Sequence, residues 1–236
     1  MRFVFSVWVL CALLVSGLAH DAGADSSRRT LHKNLKFDLN GDGRLDTIAL
    51  KTHDTDSKFQ LSINGLTVSG EFTEAATGFY LAKINKADRY FEVVVYTPGP
   101  SDDDEHLVYW YDGKKIKRLA HLARWVDYKG DGTLTETSWA GFWQPKDEWN
   151  LTRNYDLVRK PRTFYTVNVK ATTTKSTPLR GSIGGKTAVV VPVKKAVLIV
   201  KSNPAISWYY VKAGNKAGWL TEAELYDHLT GMPVAD

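Results

Sequence analysis

The sequence predicts an all-β chain in which about three propeller-like antiparallel β repeats, too few to close a propeller, precede a small basic β-barrel. Three observations carry this. Short runs alternate polar and apolar residues between Gly, Asn and Asp turn pairs, the period of a half-buried strand. An Asp- and Gly-rich loop standing ahead of a strand recurs at intervals of about 45 residues, the length over which propeller blades repeat. From Leu157 to Thr221 there is no Asp or Glu, yet there are twelve Lys and Arg: Arg159, Lys160, Arg162, Lys170, Lys175, Arg180, Lys186, Lys194, Lys195, Lys201, Lys212 and Lys216. Asp25 to Arg159 instead holds 19 basic and 21 acidic residues, so the net charge of +5 hides two electrostatic objects joined end to end.

Met1-Arg2 is followed by an apolar run from Phe3 to Leu18 and then by Ala22-Gly23-Ala24, an A-x-A processing site, with Gly17-Leu18-Ala19 as a second candidate. A charged start, a short apolar core and a small-residue site describe a signal peptide over residues 1–24. The alternative, an uncleaved anchor, needs a spanning run of about 20 residues, and this one has 16. The single cysteine, Cys11, lies inside the leader. Cleavage leaves a chain without disulfides, held by core burial and by metal. It would be secreted, periplasmic or attached to the cell envelope, and no later segment reaches transmembrane length. Two domains are expected, at 25–160 and 161–236.

After a polar start comes Asp38-Leu39-Asn40-Gly41-Asp42-Gly43-Arg44-Leu45-Asp46, leading directly into Thr47-Ile48-Ala49-Leu50. Side-chain oxygens stand at Asp38, Asn40, Asp42 and Asp46, and the Arg44 carbonyl fills the gap. A hard cation such as calcium takes six to eight oxygens, and alternate oxygens along a loop can wrap one. The first six positions match an EF-hand loop, but Ala49 stands where its bidentate Glu belongs and a strand follows instead of a helix. The expectation is a structural calcium ion rather than a switch.

Lys58 to Ile63 alternates, Asn64-Gly65 is a hairpin pair, and Leu66-Thr67-Val68 resumes the alternation. The same grammar returns with Phe79 to Asn85, the buried run Glu92 to Tyr96, Leu107 to Tyr111 and the Asp112-Gly113 turn. It returns again from Trp125. Pairing Asp46 with Glu92 sets Asp42 against Asp88, which leaves Ile84 and Lys86 where Asp38 and Asn40 stood. In the third copy Asp127 and Asp131 answer Asp38 and Asp42, with Lys129 and Thr135 at the other two places. One complete ion loop and two eroded ones are expected, forming either an incomplete propeller-like stack or sheets that close on the second domain.

Over about Leu35 to Val158 this pattern resembles the FG-GAP or VCBS repeats of integrin α-like propellers, whose Asp-x-Asx-x-Asp-Gly-x-x-Asp loops bind calcium just ahead of a strand. The resemblance implies Asp38, Asn40, Asp42 and Asp46 as side-chain ligands and Arg44 as a carbonyl ligand. Two further clusters stand in this half. Asp102 to Glu105 is either a solvated acidic loop or a second cation or partner site. Trp139, Phe142, Trp143 and Trp149 are either core or a platform for stacking on sugars.

From about Phe164 short strands alternate with Gly, Pro and Thr. Leu179-Arg180, Val197 to Val200, Trp208-Tyr209-Tyr210-Val211 and Lys216-Ala217-Gly218-Trp219-Leu220 resemble a bacterial SH3-like domain spanning roughly Tyr165 to Leu229. That resemblance implies binding of a peptide or cell-wall polymer, with Trp208, Tyr210 and Trp219 as ligand-binding candidates. The same tryptophans could equally fill the core of so small a barrel. The excess of lysine suits an anionic partner or a plain solvated face.

Catalysis finds little support. The mature chain has no thiol, and His32, His53, His106, His121 and His228 are scattered. There is neither Gly-x-Ser-x-Gly nor His-Glu-x-x-His. Gly181 to Thr187 imitates a phosphate loop but leads into Val189 to Val191 rather than a helix. Nucleic acid is set aside because the basic residues lie along strands and the chain is read as exported. The expected function is a calcium-stabilised, non-catalytic binding protein; the alternative is a hydrolase, or an accessory subunit of an envelope-remodelling enzyme, with an unrecognised carboxylate site.

Overall fold

A computed structural model describes residues 29–53, 56–100 and 103–234; the expected leader and Asp102 lie outside the described residues. The chain is all-β and antiparallel, in four sheets. The first sheet is a meander of β1 (Asn34–Phe37), β2 (Asp46–His53), β3 (Asp56–Ile63) and β4 (Leu66–Glu71). The second repeats it with β5 (Gly78–Ala82), β6 (Glu92–Thr97), β7 (Glu105–Tyr111) and β8 (Ile116–Ala123), and the third with β9 (Trp125–Tyr128), β10 (Thr133–Thr137), β11 (Lys146–Leu151) and β12 (Leu157–Arg159). Three four-stranded meanders are what a propeller-like repeat requires. Asn64-Gly65 makes the tight turn that pairs Ile63 with Leu66, and both residues have positive φ, which a type I′ hairpin demands.

The sheets are layered through their side chains. Ile48, Leu50, Phe59, Leu61 and Ile63 of the first sheet share a core with Val93, Val95, Leu107, Tyr109 and Tyr111 of the second. Alternate residues of those same strands, Val94 and Val108, join Leu122, Val126, Tyr128 and Leu134 in a core with the third sheet. The second sheet is therefore covered on both faces. That is why β6 and β7 read as unbroken apolar runs while β3 alternates. The far face of the first sheet carries the exposed Thr47, Lys51, Lys58 and Gln60. A polar terminal face is how a stack of repeats ends, and the alternative of sheets closing on the second domain is not needed for the first sheet.

The fourth sheet has seven strands in the order β15-β14-β18-β17-β16-β13-β19 and curls into a half-barrel. Its strands are β13 (Tyr165–Thr173), β14 (Thr177–Arg180), β15 (Thr187–Val191), β16 (Ala196–Asn203), β17 (Trp208–Ala213), β18 (Lys216–Thr221) and β19 (Leu229–Thr230). Gly218 lets β18 cross close to β14, since a Cβ there would meet the Arg180 carbonyl at 2.6 Å. Leu179, Val197, Ile199, Tyr209, Val211 and Leu220 fill the concave side. Phe142 and Trp143, from the loop between β10 and β11, complete that core at 2% and 3% exposure. Of the sequence's aromatic cluster these two are core, while Trp139 and Trp149 are half-buried. After Thr221 the chain turns into a helix, α1 (Glu222–His228). Its reason was present in the sequence as Thr221-x-x-Glu224. The Thr221 hydroxyl accepts the Glu224 amide at 3.2 Å and the Glu224 carboxylate accepts the Thr221 amide at 3.0 Å, a capping box.

Because Leu107 sits at the shared face of the first two sheets, Leu107→Ala is expected to cost about 2–5 kcal/mol in equilibrium urea unfolding. Gln60→Ala on the polar end face is expected to change stability by less than ~0.5 kcal/mol. Equal losses would contradict this layering.

Candidate metal loop and aromatic face

The loop ahead of β2 folds onto its own side chains. Asp38 accepts the Asp42 and Gly43 amides at 3.1 and 2.8 Å, Asn40 accepts the Asp42 amide at 2.9 Å, and Asp42 accepts the Arg44 amide at 2.9 Å. Gly41 and Gly43, at φ 65° and 85°, take the left-handed turns this wrapping needs. Asn40 and Asp46 are buried, at 4% and 3% exposure. Asp46 is tied down on both oxygens, by the Leu39 amide at 2.9 Å and by the Asn64 side-chain amide at 2.7 Å. The hairpin at Asn64-Gly65 thus positions the last acid of the loop. Each carboxylate oxygen keeps a second lone pair.

Among the described residues no three His, Cys, Asp or Glu side chains are gathered closely enough to hold a metal as they stand. The donor set nevertheless fits a hard cation. Asp38, Asp42 and Asp46 make no close ion pair among the described residues; the exposed Arg89 guanidinium interacts with Asp42 only at longer range, so three carboxylates in nine residues have no cation in direct contact. Asp38, Asn40, Asp42, Asp46 and the Arg44 carbonyl would hold calcium, and the ion would neutralise that charge and brace the loop.

The structure corrects the alignment of the second loop. The Ile84 amide donates to Glu92 at 3.1 Å just as the Leu39 amide donates to Asp46, and Asn85 accepts the Ala87 amide at 3.0 Å as Asn40 accepts that of Asp42. Leu39 therefore answers to Ile84, Asn40 to Asn85 and Asp38 to Lys83. One extra residue before Asp88 restores the register of Asp42 with Asp88 and Asp46 with Glu92. A constant spacing hides such an insertion. The loops also touch. The Phe91 amide bonds the Leu39 carbonyl at 2.9 Å, and the Gly132 amide bonds the Ile84 carbonyl at 2.8 Å, so each loop holds the next.

Glu92 is 0% exposed and its Oε1 has no hydrogen-bond partner among the described residues. Burial pushes its pKa up to about 7; the Ile84 amide and Lys83 pull the other way and Asp88 adds to the rise. His106 is its opposite. Also buried, it lies between the Tyr80 hydroxyl at 3.1 Å and the Arg124 carbonyl at 2.8 Å, and burial holds its pKa down to about 4.

On the half-barrel, the three ligand-binding candidates stand on the convex side, outside the core formed by Tyr209, Val211 and Leu220. Arg180, Trp219, Tyr210 and Lys201 are paired in register across β14, β18, β17 and β16, so two cations bracket two aromatic rings in one row. Trp219 is 8% exposed because Tyr210 and Phe164 cover it, with ring centroids 5.1 and 5.6 Å away. The Lys201 ammonium lies 4.7, 5.2 and 5.1 Å from the Phe164, Tyr210 and Trp219 rings. Trp208 and Tyr210 are half-buried. The Arg180 guanidinium is 5.3 Å from the Trp208 ring and bonds Glu224 at 2.5 and 2.7 Å. Arg180 thereby outweighs burial and holds the Glu224 pKa down to about 2. Phe164 was absent from the sequence candidates; its place just ahead of β13 gave no periodic signal.

Five of the twelve basic residues reach acids outside their own stretch: Arg159 to Asp147, Lys160 and Arg162 to Glu148, Lys175 to Asp227, and Arg180 to Glu224. Lys170, Lys186, Lys194, Lys195, Lys201, Lys212 and Lys216 make no ion pair among the described residues.

The acidic run contributes to a cleft of about 450 Å³ with Asp103, Asp104, Glu105 and His121 on its walls. There Glu105 meets His121 at 2.7 Å and Arg124 pairs with Asp103. Gly181 to Lys186 is the connection between β14 and β15, as its missing helix implied. No family model, no curated protein and no solved structure matches this chain.

Glu92 generates a signed pH prediction. A folded pKa raised above 4.5 means that its contribution to stability is fully present below pH 4.5 and is lost as pH rises through about 7. Glu92→Gln does not titrate, so its stability relative to the parent chain should improve between pH 4.5 and pH 7.5, by on the order of 3 kcal/mol. Paired thermal melts measure it, and a difference independent of pH would refute the buried, neutral acid.

Proposed function

We propose that this chain is an exported, non-catalytic binding protein whose basic half-barrel engages an anionic cell-wall polymer and whose stacked sheets are braced by one calcium ion. The observation that carries the reading is the row Arg180, Trp219, Tyr210, Lys201 on the convex side of the half-barrel. Trp208 and Lys212 flank it on the same side of β17, two residues to either side of Tyr210. Half-buried rings offer flat faces to the C–H surface of a sugar or to a peptide bond, and lysines without acid partners offer charge to its carboxylates or phosphates. Ordered carbohydrate and peptide sites combine these two features.

Other supports are independent of that row. The leader at residues 1–24 argues for export. Three meanders, each with an Asp-bearing loop, agree with a likeness to FG-GAP or VCBS repeats. The curled terminal sheet agrees with a likeness to exported SH3-like modules. Three carboxylates within nine residues of the Asp38–Asp46 loop, none of them in a close ion pair among the described residues, argue for the calcium ion. Its role is mechanical: Asp46 is bonded to the Asn64 hairpin and Leu39 to Phe91 of the second loop, so an ion there would lock the entry to β2.

A second reading, a hydrolase, rests on Glu105 and His121 in the acidic cleft. Burial raises the Glu105 pKa, but the Thr73 amide and His121 outweigh it and leave it below the usual carboxylate range. Glu105 therefore stays ionised and suits a base or an electrostatic group, not a proton donor. Glu92, the carboxyl that is raised, is sealed from solvent. This separation of an acid from any accessible surface favours binding over hydrolysis.

In sedimentation with purified peptidoglycan at physiological salt, the full chain should pellet. The double variant Trp208→Ala, Tyr210→Ala should lose affinity at least about tenfold, with binding by both weakening as salt rises. A chain that stays in the supernatant sinks the wall reading, and release of reducing ends from the pellet would move the weight to the hydrolase. Calcium at ten to a hundred times a dissociation constant of ~10⁻⁴–10⁻³ M should stabilise the fold by about 1.4–2.7 kcal/mol. Asp42→Ala should abolish that response in thermal melts.

A further inference from the structure

We propose that the second and third loops carry their own cation, the ammonium groups of Lys83 and Lys129, and that the first loop alone is left to take a metal. The inference rests on the reading that the first loop binds calcium and concerns residues that reading does not use.

Lys83 stands at the position of Asp38. Its ammonium donates to the Tyr90 carbonyl at 2.6 Å and to the Asp88 carbonyl at 2.8 Å, and it lies 3.3 Å from the Asp88 carboxylate. Asp88 is the counterpart of Asp42: each accepts the amide two residues on, Arg44 at 2.9 Å and Tyr90 at 3.0 Å. The Tyr90 carbonyl is the counterpart of the Arg44 carbonyl. Lys83 thus meets the equivalents of two of the oxygens assigned to the ion in the first loop. The Phe91 ring, 4.5 Å from its nitrogen, closes one side. The remaining counterpart, Glu92, is 0% exposed with Oε1 unbonded, an oxygen donor that this loop leaves unused.

The third loop solves the same problem from another position. Asp131 accepts the Thr133 amide at 3.0 Å, as Asp42 accepts that of Arg44, so the fold of the loop is kept. Lys129, at the place of Asn40, pairs with Asp127, at the place of Asp38. Each eroded loop has therefore replaced one oxygen ligand by a lysine that pairs with an acid of the same loop. The first loop has no such lysine, and its three carboxylates make no close ion pair among the described residues; Arg89 reaches Asp42 only as a longer-range charge. An ammonium on a side chain is a tethered monovalent cation: it needs no free ion and is already held at its site.

Equilibrium dialysis with calcium on the full chain counts the sites. The parent chain should bind one ion and Lys83→Asp, which restores the first loop's acid, should bind two. One ion in both, or two in the parent chain, overturns the proposal, as does none in both. None in the parent chain and one in Lys83→Asp would remove calcium from the first loop while upholding the role of Lys83. Should Lys83→Asp not fold, Lys83→Met keeps the stem without the charge. Its melting temperature should rise with calcium by more than that of the parent chain, and an equal rise overturns the proposal.

Discussion

Burial of the second sheet on both faces is the constraint from which the rest of the molecule follows. Side chains along its strands alternate between the two faces, so Val93 and Val95 must find one partner layer and Val94 another. A single neighbour would leave half of these side chains in water, at a cost of about 1.5–3 kcal/mol for each large one. Sheets one and three supply the two layers, and each then needs only one apolar face. The stack can stop at three because its first member ends in Thr, Lys and Gln rather than in another apolar row.

Layering in turn sets the loops. When the sheets stack, the turn entering each second strand comes up against its neighbour, and the Leu39 and Ile84 carbonyls are taken by amides of the next loop. Three acid-bearing turns are brought to one end of the stack, where their charge has to be met within a small volume. In two of them a lysine of the same loop meets it. In the first, the hydrogen bonds to Asp38, Asp42 and Asp46 among the described residues come from backbone amides and Asn64, which offer partial charges, and the exposed Arg89 guanidinium brings a full charge to Asp42 only at longer range.

The half-barrel divides its aromatic residues by strand parity. Tyr209 points into the core with Val211, while Trp208 and Tyr210 stand on the convex side, and the loop carrying Phe142 and Trp143 supplies the bulk that a small sheet lacks. The convex tryptophans are thus not needed to fill the interior. Trp219 is shielded by Phe164, Tyr210 and Lys201, which leaves Trp208 and Tyr210 as the more accessible rings of the row.

Local chemistry determined what was legible in the chain itself. Alternation from Lys58 to Ile63 and the Asn64-Gly65 pair specified a hairpin, because both act through neighbouring backbone alone. The Asp38–Asp46 loop was readable as a wrapped turn opening a strand for the same reason. The helix at Glu222 was written in Thr221 and Glu224 but hidden beside a strand pattern. What only the tertiary structure decided was non-local: that Lys83 answers to Asp38, that Glu92 is sealed with an unpaired oxygen, and that Trp208 and Trp219 face the convex side, Trp219 buried there under its neighbours. Each depends on which sheet face meets which neighbour, and side-chain periodicity names two faces without saying what lies against either.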